Sequence, residues 1–262
     1  MKEKVNRLCP KLEAMGIPII EFLVSDQNSI HSLKREKITM SMCSFFKGLK
    51  TAPLDTLYDW QNGRWPWGII AFAMIMLVLL AHYLFQNWMH MLPCEQCVYI
   101  RYGNLVMALG AIIAMINPKA VWTKICGYVL GFYGLIYTFI CSWKLMAIHD
   151  AVHSDDLEAM FGMQGCSMEP KFHFGLPLDK WAPEWFKPTG DCGYDAPMPA
   201  EGVELSSLQQ FFVELYQSSD GWYLIPQWKF MDMAECCFLA CCVATLFLVP
   251  MLVSWIVKGL KK

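Results

Sequence analysis

Sulfur is the chemistry this sequence offers first. Twelve cysteines occur in 262 residues, and two of them stand as Cys94-Glu95-Gln96-Cys97. A CxxC can ligate zinc, exchange disulfides or carry haem. Haem attachment is excluded, because Val98 rather than His follows Cys97. Pro93 can end the preceding segment, and a helix is expected to begin near Cys97, where free backbone N–H groups favour the reactive thiolate. Arg101 is four residues on and therefore projects from the same face, one turn deeper. It either stabilises an anion at Cys97 or snorkels to the surface. Glu95, if close to the sulfur, opposes the thiolate.

These residues stand at the mouth of an apolar run. Only 17% of the chain is charged, against about 25% in soluble domains, while 56% is hydrophobic and the mean hydropathy is +0.33. No Asp, Glu, Lys or Arg lies between Arg64 and Glu95, and Gly68–Phe85 is the centre of that gap. Arg101 is the sole charge from Val98 to Asn117, and Ile125–Trp143 and Cys236–Val257 carry none. Each stretch approaches the ~20 residues that cross a bilayer. In hydrocarbon the backbone must bond within the segment, so these runs read as helices, and none alternates as a barrel strand does. The fold expected is an all-α membrane protein, a four-transmembrane-helix bundle with a long, largely irregular loop between helices 3 and 4. A net charge of −2 leaves no basic excess for nucleic acid.

Basic residues set the orientation. The segment before Trp65 is rich in Lys and Arg, Lys119 and Lys124 occupy the turn after the second span, and Lys258, Lys261 and Lys262 end the chain. The turn 86–93 has none, and the loop from His149 to Met231 is acidic. Both termini are thus expected in the cytoplasm, with Cys94 and the loop outside. The first apolar run starts behind a charged segment, unlike a cleaved signal peptide.

That topology sorts the cysteines. Cys9 and Cys43 fall on the reducing side, while Cys126, Cys141, Cys236, Cys237, Cys241 and Cys242 lie within spans and read as small buried hydrophobes. Cys94, Cys97, Cys166 and Cys192 remain on the oxidising side. Two structural bridges, a two-step redox relay and a four-cysteine zinc site all fit that count; the lack of a second CxxC weakens zinc, and the position of Cys97 favours the relay. In the loop, frequent prolines forbid long helices, and Trp181, Trp185 and Phe186 are candidates for the membrane surface. Leu208, Phe211, Phe212 and Leu215 fall at i, i+3, i+4 and i+7, which predicts a helix over Ser207–Gln217 capped by Ser206 or Ser207. Its apolar face packs either on the loop or on lipid.

The run Pro93-Cys94-Glu95-Gln96-Cys97-Val98-Tyr99-Ile100-Arg101, with Asn117-Pro118-Lys119, Leu176-Pro177-Leu178-Asp179-Lys180-Trp181, Gly190-Asp191-Cys192 and Pro226-Gln227-Trp228, resembles the DsbB family of inner-membrane disulfide oxidoreductases. Cys-Glu-Gln-Cys and Cys192-Gly193-Tyr194-Asp195-Ala196-Pro197 are similar to its DsbI branch. The resemblance runs from about Met42 to the end of the chain. It implies a quinone-dependent protein thiol-disulfide oxidoreductase that reoxidises a periplasmic thioredoxin-fold oxidase (DsbL- or DsbA-like) and passes electrons to ubiquinone or menaquinone. An arylsulfate sulfotransferase is the implied downstream client. Catalysis would rest on Cys94, Cys97, Cys166 and Cys192, with Cys166 and Cys192 paired, and quinone binding on Arg101 and on either His149 or His153. Residues 1–64 would form a cytoplasmic segment, 65–257 the transmembrane domain with periplasmic loop 148–231, and 258–262 a cytoplasmic tail. Residues 1–41 lack a counterpart and are expected to be an extension, or to precede a true start at Met40 or Met42. A disulfide-stapled scaffold without activity and a vitamin-K-epoxide-reductase-like enzyme are the rival readings; the latter family places its CxxC after the loop cysteines.

Overall fold

The computed structural model describes residues 48–153 and 166–260. The expectations for residues 1–41, Cys9 and Cys43 therefore lie outside the described residues. The chain divides into two units at Thr56. Of the first, residues 48–56 are described and hold a helical turn and the start of α1 (Pro53–Gln61). All that follows belongs to the second unit.

The four apolar runs are helices of spanning length. The first is α2 (Trp65–Leu79), started by Pro66 in its first turn and continued without a break as a π-helical stretch over Leu80–Trp88. Then come α3 (Glu95–Ile116), α4 (Val121–Val152) and, after the loop, the last span. The 32 residues of α4 reach about 48 Å at 1.5 Å per residue. That exceeds the hydrocarbon thickness, so α4 carries His149 and His153 to the level of the loop. The loop holds the short helices α5 (Leu178–Trp181) and α6 (Pro183–Phe186), then α7 (Ser207–Ser218). A hairpin of β1 (Tyr223–Ile225) and β2 (Phe230–Asp232) pairs Tyr223 with Asp232 and leads into α8 (Met233–Gly259).

Without a hydrophobic drive between helices in lipid, close approach comes from small residues. On α3 and α4 those are glycines. A Cβ on Gly134 would lie 2.5 Å from Gly103 O, and one on Gly110 would lie 2.9 Å from Gly127 O. Trp67, Met107, Leu248 and Met251 fill the space between helices, while Phe72, Val129, Ile136 and Leu246 face outward as a lipid-facing surface should. At the end away from the loop, buried Gln61 donates to Ser254 Oγ at 2.8 Å and accepts from Tyr128 OH at 2.7 Å. That satisfies polar groups which lipid could not.

The loop departs from expectation at two adjacent residues. Trp185 and Phe186 do not lie at the surface: Trp185 stacks on His82 with ring centroids 3.8 Å apart, and Phe186 is buried against Phe172. Trp181 alone of the three stays exposed. The helix α7 forms where its apolar spacing predicts, with a capping box between Ser206 and Gln209. Its face is divided, with Phe212 packed on Trp88 and Leu208 and Phe211 exposed.

Gly134→Leu is expected to force α3 and α4 apart and cost at least about 1–3 kcal/mol, the usual range for overpacking. The midpoint of detergent-induced unfolding reads this. Ile136→Leu, on the lipid-facing side of the same helix, should leave it unchanged.

Candidate active site

Cys94 is the N-cap of α3, with extended backbone at φ −84° and ψ 171°. The helix therefore starts at Glu95, two residues earlier than expected, and the Cys97 N–H donates to Cys94 Sγ at 3.2 Å. The positive end of the helix acts first on Cys94 rather than on Cys97. The two are joined in a disulfide with Cα atoms 5.0 Å apart, and Cys166 and Cys192 form a second with Cα atoms 5.7 Å apart. Cys94 and Cys192 are buried in one apolar cluster with Tyr99, Phe172 and Phe186, and Cys97 and Cys166 pack against it half-buried.

The loop reaches this position through main-chain bonds. Thr189 N and Gly190 N both donate to Pro93 O, at 2.9 and 3.2 Å, just before Cys94. A Cβ on Gly190 would meet Leu92 O at 2.9 Å, so only glycine admits that approach. On the other arm, Ser167 N donates to Glu95 Oε2 at 2.7 Å and Lys171 N to Tyr99 OH at 2.7 Å. Glu95 therefore faces the loop.

Beneath the CxxC lies a cavity of about 190 Å³ whose walls include Cys94, Cys97, Arg101, Asn104 and His149. Most of the remaining lining is apolar and comes from all four spans; the free thiols Cys236, Cys237 and Cys241 face it from α8. Arg101 is 5% exposed. It donates to Gln86 Oε1 at 2.7 Å, to Trp185 O at 3.1 Å and to Ala81 O at 3.2 Å. Every acceptor is neutral, and no carboxylate pairs with it among the described residues. Three of five N–H donors are thus engaged. Two of those acceptors, Gln86 and Ala81, belong to the π-helical stretch, an irregularity often found at functional sites. Arg101 does not snorkel; it is held inward as a cation without a counter-ion.

The model of the family described as "Disulfide bond formation protein DsbB" matches residues 63–251. The chain belongs to the DsbB family. It is 58% identical over 214 residues to the putative protein-disulfide oxidoreductase DsbI of Campylobacter fetus subsp. fetus, covering 82% of this chain and 97% of the relative. It is 52% identical over 219 residues to the protein-disulfide oxidoreductase DsbI of Escherichia coli O6:K15:H31, covering 84% and 98%. The DsbI of Salmonella typhimurium is 53% identical over 218 residues, covering 82% and 97%. Four spans and this membership make the chain a multi-pass inner-membrane disulfide oxidoreductase, on the DsbI side of the family.

Within this DsbB-family bundle the two candidate histidines separate. His149 lines the cavity, and His153 stacks behind it with ring centroids 4.1 Å apart. Both ring nitrogens of His153 face carbonyls, of His149 and Asp220, each at 3.0 Å. His149 Nδ1 lies 3.2 Å from Asp232 Oδ2, while Nε2 is buried without a hydrogen bond, 3.9 Å from Asp195 Oδ1. Sequence reasoning singled out neither aspartate. Asp232 was legible as a helix cap, with Glu235 three residues on before an apolar run. Asp195 falls in the Cys192–Pro197 run but no spacing ties it to His149; its place follows from the loop's path, where it also accepts from Trp222 N at 3.2 Å.

Burial raises the Asp195 carboxyl above its ordinary value of 3.8; His149 and the Trp222 N–H pull it down, and Asp232 pushes it up. A raised folded-state value means stability is fullest with the carboxyl protonated and is lost as pH rises through that value. Measured against Asp195→Asn, the thermal midpoint of the wild type is expected to fall as pH rises from about 4 to 7. A constant difference across that range would contradict this.

Proposed function

We propose that this chain reoxidises a reduced thioredoxin-fold dithiol oxidase of the periplasm, DsbL- or DsbA-like, and passes the electrons to a membrane quinone. The observation that carries the reading is Arg101, a buried guanidinium with neutral acceptors only, in the wall of the cavity that also meets Cys97. A desolvated cation without a partner is costly, and the cost is recovered when an anion forms beside it. A Cys97 thiolate and the oxygen of a reduced acceptor are such anions.

The exchange proceeds by thiolate attack on disulfide sulfur. The partner's thiolate attacks Cys166, the Cys166–Cys192 bond breaks, and Cys192 leaves as a thiolate. Cys192 attacks Cys94, the Cys94–Cys97 bond breaks, and Cys97 takes the negative charge beside Arg101. The partner's second thiol displaces Cys166, which recloses on Cys192 and releases Cys94. Two electrons and two protons have then moved from the partner to Cys94 and Cys97. A bound quinone supplies an acceptor for both pairs. The cavity suits such a group: its walls are largely apolar, and His149 Nε2 and Thr138 Oγ1 are buried there without hydrogen-bond partners. Arg101, Asn104 and His149 would hold the quinone oxygens, and His153 would orient His149 from behind.

The distribution of Lys and Arg supports a periplasmic loop and cytoplasmic termini. Secreted enzymes that need disulfides, such as an arylsulfate sulfotransferase, would be the beneficiaries. The CxxC precedes the loop cysteines, opposite to the vitamin-K-epoxide-reductase order.

Stopped-flow mixing of the purified protein with a reduced thioredoxin-fold partner and ubiquinone or menaquinone tests the reading. Cys97→Ala is expected to abolish quinone reduction, and full turnover in that variant would end the proposal, whereas a wild type that quinone fails to reoxidise would favour a stapled scaffold. Arg101→Gln is expected to slow quinone reduction about 100-fold, about 2.7 kcal/mol of lost anion stabilisation, with the attack of the partner on the loop unchanged.

A further inference from the structure

The two arms of the loop disulfide are fastened to the head of α3 in different ways. The Cys192 arm hangs from a main-chain carbonyl, Pro93 O, through Thr189 N and Gly190 N, and Cys192 itself is 5% exposed. The Cys166 arm is held by side chains. Glu95 Oε2 accepts from Ser167 N at 2.7 Å, Glu95 Oε1 accepts from Tyr99 OH at 2.9 Å, and that same hydroxyl accepts from Lys171 N at 2.7 Å. Glu95 and Tyr99 are four residues apart and so stand on one helical face. Cys166 and Ser167 are more exposed than Cys192. One arm is built in, and the other is clipped on.

We infer that Glu95, from between the two cysteines of the CxxC, acts with Tyr99 as a latch that seats the Cys166 arm of the loop against the Cys94–Cys97 pair and releases it when an external thiol attacks. Glu95 is a positioning residue here, because its hydrogen bonds go to the backbone beside Cys166 and to Tyr99. The chemistry asks for such an asymmetry. Attack on Cys166 requires its sulfur to turn outward to a bulky partner, whereas Cys192 must stay beside Cys94 to deliver its thiolate. A side-chain clasp of charge-assisted bonds is strong enough to hold an arm and local enough to open without unfolding the loop. The residue type at this position suits a latch, since a carboxylate accepts from Ser167 N and Tyr99 OH at once, which an apolar side chain cannot do.

The inference rests on electrons entering at the loop disulfide, and two readouts on the full-length protein in lipid nanodiscs separate the two ideas. The first is amide hydrogen exchange of the oxidised protein over residues 166–172, read by mass spectrometry. Glu95→Ala is expected to speed exchange there about tenfold, and Glu95→Gln, which still accepts from Ser167 N and can donate to Tyr99 OH, should stay near wild type. Tyr99→Phe should speed exchange at Lys171. The second readout adds dithiothreitol, quenches at intervals and alkylates, so that reduction of Cys166/Cys192 is timed separately from that of Cys94/Cys97. In Glu95→Ala the loop pair should be reduced faster and the transfer to Cys94/Cys97 slowed about tenfold, with rescue by Glu95→Gln. Unchanged exchange in Glu95→Ala overturns the latch, as does a loss of transfer that Glu95→Gln fails to rescue. Should the wild type itself move no electrons from loop to CxxC, the functional reading fails, while the exchange result still decides whether the latch exists.

Discussion

A guanidinium held in an apolar bundle constrains everything around it. Arg101 reaches its place because α3 must bury the face that also carries Cys97, and it stays there because three neutral oxygens accept hydrogen bonds from it. Those oxygens come from a side chain and a carbonyl of the π-helical stretch that ends the first span, and from the carbonyl of Trp185 in the loop. A regular α-helical ending of α2 and a loop lying flat on the lipid would each remove acceptors. The irregular helix, the inward fold of α6 and the stacking of Trp185 on His82 thus answer one electrostatic requirement. What they leave unmet, a counter-charge, defines the chemistry the cavity favours.

The CxxC is placed by a similar economy. Cys94 caps α3, so the helix that carries Arg101 also sets the geometry of the disulfide at its head. Residues on either side of Cys94 then collect the loop, Pro93 through its carbonyl and Glu95 through its carboxylate. The two sulfur pairs share one apolar cluster. In the wall of the same cavity, His149 stands between Asp232 and Asp195, its Nε2 without a hydrogen bond. Arg101 from α3 and Asp195 from the loop therefore line the same apolar space.

Much of this was legible in the chain order. Charge-free stretches of spanning length gave four helices because a lipid-embedded backbone has no alternative. The spacing of Leu208, Phe211 and Phe212 behind Ser206 marked α7, since capping and amphipathicity are local. Segregation of lysines from cysteines set Cys94, Cys97, Cys166 and Cys192 apart from the thiols within spans, and the CxxC with an arginine one turn deeper marked the candidate site. All of these are properties of neighbours within a turn or two.

What the tertiary structure alone decided are relations between distant segments. His149 rather than His153 meets the cavity because α4 ends with that face turned inward. Asp195 joins it from a loop position with no periodicity to betray it, and Trp185 and Phe186 turn inward because Arg101, His82 and Phe172 offer them more than the interface does. Glu95 turns from the sulfur it neighbours in sequence to a backbone N–H 72 positions away, because that amide is where the folded loop passes. Composition and spacing fix which segments enter the membrane and which atoms are reactive. Which of those atoms meet is set by packing, a many-body outcome that no local pattern encodes.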